Sequence, residues 1–207
     1  IVVVNSSDAL NAAIDGGAKE ILLAAGEYEL TKARVGVTIK GADEETVKLN
    51  ADVPIYGFNG KIPVRMHFED LTFTNTMSTF QDTAKEEDGG GSCTFTNVTF
   101  KEGFRHGYGS NVVFTDCTFD SNFEGYALHF EGDPAGTEGE IKLTNCEFLG
   151  GKVHLGGPRT YVFTDCDFAA GTDFRVWSGT ALNGCTFNGV AITIGNVSEG
   201  SNYVTIQ

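Results

Sequence analysis

Basic residues are scarce in this chain of 207 residues, which has 14 Lys and Arg against 28 Asp and Glu and a formal net charge of -14. This acidic balance argues against nucleic acid or an anionic membrane as a general partner. No run of 18 apolar residues occurs, so the sequence predicts no transmembrane helix. Proline is also rare, with 4 residues against 27 Gly and 16 Phe, and this composition favours short strands joined by tight turns over long helices.

An eight-residue phrase recurs along the chain, and VVFTDCTF at residues 112–119 is its clearest copy. The last residues of successive copies lie 19 to 29 residues apart in the sequence. A constant unit with elastic spacing is typical of stacked repeats whose insertions form external loops. The other copies are MHFEDLTF (66–73), CTFTNVTF (93–100), IKLTNCEF (141–148), YVFTDCDF (161–168) and TALNGCTF (180–187).

Each phrase contains two short strands joined by a bend. Val112 and Phe114 alternate with outward residues, and Cys117 and Phe119 do so again after an interruption at Asp116. Every copy has Asp, Asn or Gly at the interruption, and these residues tolerate a left-handed backbone. A third strand is predicted after each phrase from residue 92 onward, at 105–106, 127–130, 153–155, 174–177 and 191–194.

Three strands and three bends per repeat make one coil of a parallel β-helix, in which successive coils hydrogen-bond about 4.8 Å apart along the axis. The sequence therefore predicts an all-β fold, a right-handed parallel β-helix solenoid of about eight rungs. A short helix over residues 8–15, capped by Ser7, is predicted to cover the first rung.

Residues 1–207 are predicted to form a single β-helix domain, which we expect to come from a larger protein. Residues 1–20 supply the N-terminal strand and the capping helix, and the polar, glycine-ended segment 76–92 is interpreted as an inserted mobile loop. The final YVTIQ favours another strand, so we expect the solenoid to continue or to dock at this end.

Four of the five cysteines occupy one position of the repeat, which Leu71 and Val98 fill in the earlier copies. Apolar substitutes indicate a buried position, so we expect a column of reduced core thiols. The absence of C-x-x-C argues against a zinc knuckle, and the odd count argues against a disulfide framework. The column contains Cys117, Cys146, Cys166 and Cys185.

Two N-terminal stretches, DALNAAIDGGAKEILLAAGEYEL (8–30) and GVTIKGADEETVKL (36–49), together with the FTDCTF-type rungs, carry a family resemblance. On them the chain resembles the right-handed parallel β-helix superfamily that includes pectate lyases and many bacterial surface, adhesin-like modules. The resemblance implies the fold. Because members include lyases, hydrolases, tail-spike proteins and adhesin-like modules, it implies no single activity.

The candidate site is the outward face of the third strands. In Val153-His154-Leu155 the flanking residues are predicted to face the core, so His154 faces solvent, and three of the chain's four histidines fall in the same column. Aromatic faces stack on sugar rings and His or Arg donors suit hydroxyls and carboxylates, so a ligand-binding strip is predicted here. Its members are Arg105, His106, Tyr126, His129, Lys152, His154, Arg175 and Trp177.

Two other interpretations of this strip stay open. Exposed strand positions carry polar residues in any β-helix, and two stacked histidines could bridge a metal, although further ligands are not evident and no metal site is predicted. No cofactor is expected either. The acidic loops at Glu86–Asp88 and at Glu131 and Asp133 have two interpretations, solvated charge, which is favoured, or a calcium ion held by their oxygen ligands.

The leading functional hypothesis is a non-catalytic binding module of a secreted or cell-surface bacterial protein that recognises a glycan or protein partner. The alternative is a polysaccharide lyase or glycoside hydrolase domain acting on an acidic polysaccharide, with His129 or His154 as base and Arg175 neutralising a carboxylate. A structural spacer is the third. The paired aspartates of a hydrolase and the clustered carboxylates of a calcium-dependent lyase are not evident.

Overall fold

The computed structural model describes residues 1–51, 66–79, 92–106, 111–121, 125–130, 140–156, 160–176, 179–194 and 204–206. In these residues the chain is almost entirely β, a parallel β-solenoid of about seven turns, against about eight predicted, with one short helix near the N-terminus. The predicted fold class is thereby confirmed.

The elements follow one another in a regular order. The first half of the chain forms β1 (Val2–Val4), α1 (Ser7–Asp15), β2 (Glu20–Leu23), β3 (Gly26–Glu29), β4 (Val37–Gly41), β5 (Val47–Asn50), β6 (Met66–Phe73), β7 (Met77–Thr79), β8 (Ser92–Phe100) and β9 (Phe104–His106). The second half forms β10 (Asn111–Thr115), β11 (Thr118–Phe119), β12 (Tyr126–Phe130), β13 (Glu140–Thr144), β14 (Glu147–Phe148), β15 (Lys152–Leu155), β16 (Thr160–Thr164), β17 (Asp167–Phe168), β18 (Asp173–Val176), β19 (Thr180–Asn183), β20 (Thr186–Phe187), β21 (Ala191–Ile194) and β22 (Val204–Ile206).

These strands stack into two sheets, here called sheet A and sheet B. Sheet A follows the path β1-β2-β4-β6-β8-β10-β13-β16-β19-β22 and also contains β3, β5, β11, β14, β17 and β20 beyond the bend. Sheet B has the order β7-β9-β12-β15-β18-β21. All the described pairs are parallel. Each turn therefore adds one strand on top of the equivalent strand of the turn before.

Two columns of phenylalanine fill the space between the sheets. In the column beyond the bend, Phe119 stacks on Phe100 with ring centroids 5.0 Å apart and on Phe148 at 4.6 Å. In the other column Phe95 stacks on Phe68 at 5.5 Å and on Phe114 at 5.2 Å. The copies of the phrase are thus equivalent rungs, and the regular recurrence of phenylalanine has its cause in this stacking.

The predicted left-handed bend is confirmed in every copy of the phrase. The five Asp and Asn residues at the bend have φ between 52° and 54°, and Gly184 has φ 65°. These bend residues are Asp70, Asn97, Asp116, Asn145 and Asp165. A non-glycine side chain tolerates this region best when it is Asn or Asp, which explains the restricted choice.

The bend residues also form a ladder in which carboxylates alternate with amides. The Nδ2 of Asn97 donates to Oδ1 of Asp70 at 2.8 Å, and the Nδ2 of Asn145 donates to Oδ1 of Asp116 at 2.6 Å. Burial alone would raise the pKa of Asp70, but its hydrogen bonds with Asn97 and Lys40 outweigh this and lower it. Alternation keeps like charges from lying on adjacent turns.

Replacing Asn145 by aspartate tests this ladder. The variant loses the amide donor to Asp116 and places three carboxylates on successive turns, so we expect its free energy of unfolding to fall by about 1–2 kcal/mol at pH 7. The deficit should shrink in 1 M salt, because ions screen the repulsion between the carboxylates. Urea unfolding at low and at high salt measures it, with Asn188→Asp in an exposed turn as the control. An equal loss in both variants, or a deficit independent of salt, would contradict this account.

The capping helix is present, but its cap differs from the prediction. Ser6 is the N-cap, and its side chain accepts a hydrogen bond from the backbone of Ala9. Ser7 is the first helical residue, and its hydroxyl instead accepts from the backbone N–H of Glu29 at 2.9 Å. Leu10 and Ile14 are buried, so the helix covers the apolar interior of the first rungs as expected.

The segment 76–92 is only partly a loop. Met77–Thr79 forms β7, the first strand of sheet B, and Met77 is buried. Ser92 already belongs to β8, and residues 80–91 lie outside the described residues. The interpretation of 76–92 as one loop was wrong at its two ends. The buried Met77 starts a strand there, but most of the residues around it are polar and do not indicate one.

The predicted thiol column lies beside the bend. Cys117, Cys146 and Cys166 are buried, all five cysteines are free, and each column thiol donates a hydrogen bond to the carbonyl oxygen two residues earlier. The neighbouring thiol of Cys146 and burial raise the pKa of Cys166 to about 12. Cys185 is half-buried rather than buried, because its rung is the last of the described bend strands and β20 pairs only with β17.

We expect these thiols to be unreactive in the folded protein. Burial raises the pKa of Cys93 to about 11, and the neighbouring thiol of Cys166 raises the pKa of Cys185, so few thiolates form at pH 8. Titration with a chromogenic disulfide reagent should label none of them rapidly in buffer and all five in denaturant. Rapid native labelling of several thiols, or a disulfide in the intact mass, would overturn this expectation.

Candidate functional site

Sheet B places the candidate side chains on its outer face. Arg105, His129, His154 and Arg175 follow one another in register on β9, β12, β15 and β18, and here they are called the outward row. They alternate with buried residues such as Leu128 and Phe130, and this alternation directs the row away from the core. A second line, Tyr126, Lys152 and Asp173, lies beside it in register.

The row differs from the prediction at its first member. His106 is in register with Phe130, a core position, whereas Arg105 is in register with His129. The reason is that Phe104 occupies the inward position that begins β9, so the outward position falls one residue earlier than predicted. The side chain of His106 and the whole of Trp177 lie outside the described residues.

Tyr126 is the centre of the site. Its ring stacks on the imidazole of His129 with centroids 4.1 Å apart and meets that of His154 edge-on at 5.1 Å. The Arg105 guanidinium and the Lys152 ammonium lie over the same ring, 5.2 and 5.5 Å from its centroid. Four side chains from three strands therefore converge on one aromatic ring.

A β-bulge brings Tyr126 to this position. The register between β12 and β15 shifts between Tyr126 and Leu128, so Ala127 is an extra residue. Ala127 and Leu128 are both buried although they are consecutive. Bulges often redirect a side chain in this way, and this one sets Tyr126 above His129 instead of in the regular alternation.

His154 contradicts the prediction that it faces solvent, since it is only 8% exposed. Its side chain does leave the sheet outward, but Tyr126 packs against it and Oδ2 of Asp173 lies 3.4 Å from its Nε2. The imidazoles of His129 and His154 are 6.4 Å apart, farther than the 5 Å or so expected from stacked rungs, because both rings pack on Tyr126.

Asp173 is a site residue that the sequence reasoning missed. It binds Arg175 through two contacts, Nε to Oδ1 at 3.0 Å and an η-nitrogen to Oδ2 at 2.9 Å. Burial alone would raise the pKa of Asp173, but hydrogen bonds with Arg175 and His154 outweigh it and lower the pKa. The available signal was the Asp-x-Arg spacing, which places both side chains on one face of a strand.

Burial lowers the pKa of His154, and Arg175 and Lys152 add to this against the opposing effect of Asp173. A histidine with a folded pKa below its unfolded value of about 6.5 stabilises the fold above that value and loses this contribution as the pH falls through the folded pKa. We therefore expect the free energy of unfolding to decline below about pH 6.5, and to decline less in His154→Gln. Urea unfolding from pH 7.5 to 5 measures both proteins, and parallel profiles would contradict the assignment.

The site is electropositive on an acidic protein. Among the described residues, the site contains the cations Arg105, Lys152 and Arg175 and one carboxylate, that of Asp173, which leaves a formal charge of two positives with the histidines neutral. In the part of the chain that the structure describes, no carboxylate pairs with Arg105 or Lys152. The surface can thus attract an anionic or hydroxyl-rich ligand despite the net charge of -14.

Two surface depressions lined by described residues lie elsewhere. One, of 460 Å³, is bordered by Ile1, Leu22 and Lys40 on the N-terminal turns, and the other, of 300 Å³, by Glu44, Lys48 and other residues beyond the bend. Neither depression is lined by a residue of the outward row.

The metal interpretations find no geometric support in the described ranges. No group of three or more His, Cys, Asp or Glu side chains in them is arranged to hold a metal ion. The acidic loop residues 86–88, 131 and 133, for which calcium was considered, lie outside the described residues.

Within the described residues, no helix has the length and apolar character that crossing a membrane requires. Comparisons of the chain with protein-family models, with curated proteins and with solved structures found no match.

Proposed function

We propose that this protein is a non-catalytic binding module that recognises a glycan along the outer face of sheet B. The observation that carries the proposal is the convergence of Arg105, His129 and Lys152 on Tyr126, an electropositive, donor-rich surface on a chain of net charge -14. Such donors suit the hydroxyl and carboxylate oxygens of sugars.

The geometry of the row favours a glycan over a protein partner. Successive turns present equivalent positions about 4.8 Å apart, so a linear polymer lying along the axis meets similar groups repeatedly. The large hydrophobic side chains exposed in the described residues are Ile1, Val2, Val3 and Leu149, and none belongs to sheet B. A protein interface usually has an apolar core, which this face does not offer in its described part.

The catalytic alternative, a polysaccharide lyase or glycoside hydrolase, has less support. The candidate base His154 is covered and contacts Asp173, and Arg175 is engaged by the same carboxylate, so it does not stand ready for a uronate. Asp173 is also the only carboxylate in the described strands of sheet B, whereas glycoside hydrolysis uses a pair.

We further propose that the chain belongs to the right-handed, pectate lyase-like β-helix superfamily and acts as an adhesin-like module, secreted or at a bacterial cell surface. The parallel solenoid and the left-handed bend ladder support the superfamily. Binding of this kind requires no cofactor, and calcium is the ion that the acidic loops would take.

A glycan array read beside an assay for product tests the proposal. We expect the protein to bind a subset of glycans and to release neither reducing ends nor unsaturated sugars from them over a day. Binding should strengthen as the pH falls from 7 to 5.5, because a bound anion favours protonated His154. Unsaturated or reducing products would establish the enzymatic alternative. Binding to no glycan, while a protein partner is captured, would contradict the proposal.

A further inference from the structure

Tyr126 is not an open platform for a sugar ring. Its ring is stacked at 4.1 Å on His129, and the cationic heads of Arg105 and Lys152 are held over it at 5.2 and 5.5 Å. Neutral sugars are commonly recognised by an uncovered aromatic face, and here four protein side chains already contact the ring. What this part of the surface offers a ligand is positive charge.

Resting on the proposed function, we infer that Arg105 and Lys152 form a subsite for an anionic group of the glycan, a carboxylate or a sulfate, at the rim of Tyr126. The two side chains come from β9 and β15, on either side of β12, and each carries its charge within 5.5 Å of the Tyr126 ring centroid, which limits the distance between the two charges. Charge-assisted hydrogen bonds from two such donors are the contacts that oxyanions take.

Five described cations have no ion pair with a described carboxylate: Lys19, Arg34, Lys48, Arg105 and Lys152. Of these five, Arg105 and Lys152 are the two that belong to sheet B and lie over the same aromatic ring. Lys32, Lys40, Lys101, Lys142 and Arg175 each form an ion pair with a carboxylate. At physiological salt the Debye length is about 8 Å, so distant carboxylates do not cancel the local charge.

Asp173 sets one end of the subsite. By binding Arg175 through two contacts, it offsets the charge of the third cation of the site. The positive subsite is therefore confined to the first three turns of the row. We assign Asp173 as a specificity-determining residue that limits how much anionic charge the face accepts.

The experiment compares three polymers with the full chain in 0.15 M salt: dextran sulfate, which carries sulfate only, polygalacturonate, which carries carboxylate only, and neutral dextran. We expect binding to one or both polyanions and not to dextran, and about a tenfold or greater loss of affinity in Arg105→Gln/Lys152→Gln. The control is Lys48→Ala, an exposed lysine on β5 that likewise has no ion pair with a described carboxylate, and it should change affinity less than twofold. The polymer that binds identifies the anionic group.

Asp173→Asn supplies an independent result that a folding defect cannot imitate, since we expect it to raise the affinity for the polyanion by releasing Arg175. Polyanion binding that the double variant retains, or that Lys48→Ala loses equally, would overturn the subsite. Binding of neutral glycans alone would overturn the subsite and leave the proposed function standing. Binding of no glycan at all, charged or neutral, would overturn both.

Discussion

Replacing Phe119 by alanine is expected to lower the free energy of unfolding by about 3–5 kcal/mol. The ring is fully buried, stacks at 5.0 Å on Phe100 and at 4.6 Å on Phe148, and meets Phe114 edge-on at 5.4 Å. Alanine leaves a cavity in the middle of a continuous column, and the rigid rungs on each side restrict its collapse. Chemical denaturation followed by circular dichroism measures the loss.

The matched control is Phe187→Ala at the end of the same column. Phe187 is half-buried and, among the described residues, stacks in this column on Phe168 alone, at 4.6 Å, so its removal should cost clearly less stability. In a solenoid, each rung is stabilised mainly by its two neighbours, so the interior position should matter more than the terminal one. Equal losses at the two positions would show that the column is not the cooperative core described here.

Replacing Gly103 by alanine is expected to have the second large effect. Gly103 has φ +77°, and a Cβ there would lie 1.8 Å from the backbone oxygen of Tyr126. A left-handed backbone costs alanine about 1–2 kcal/mol, and the clash adds to this because backbone must move. We therefore expect a loss of more than about 2 kcal/mol and a displaced Tyr126.

Gly189→Ala is the control that separates the backbone strain at a left-handed residue from the steric clash at Gly103. Gly189 has φ +70°, but nothing lies within 4 Å of a Cβ at that position, so its variant should lose only the strain energy, about 1 kcal/mol. Thermal unfolding compares the two proteins, and polyanion binding reports whether Tyr126 still organises the site. If Gly103→Ala is as stable as Gly189→Ala and binds normally, the close approach to Tyr126 is not a constraint.

Much of the fold could be predicted because certain positions of the repeat accept only a few residue types. Only Asn, Asp and Gly accept the left-handed bend readily, and the recurring Phe beyond it marks an inward position that must be filled in every turn. Insertions in loops do not disturb this pattern. The strand β3 and the N-cap Ser6 were missed because neither belongs to the repeated phrase.

The site was less predictable because the strands of sheet B are short. In the short pair Arg105-His106, the sequence does not tell which of the two residues faces outward. The buried Phe104 decides this, because its inward position places the next residue, Arg105, on the outer face. The bulge at Ala127 has no marker in the sequence, so the stacking of Tyr126 on His129 could not be predicted. Nor could the burial of His154, which depends on neighbouring turns covering it.

The central claim is that the ligand binds the outer face of sheet B, and chemical-shift mapping tests it most directly. The isotope-labelled protein is titrated with the glycan that binds best on the array, while amide and imidazole signals are followed. We predict that the largest shifts occur at Arg105, Tyr126, His129, Lys152 and His154, with little change at Thr96 and Thr115 on the outer face of sheet A. Shifts concentrated on sheet A, or spread evenly over the solenoid, would contradict the account.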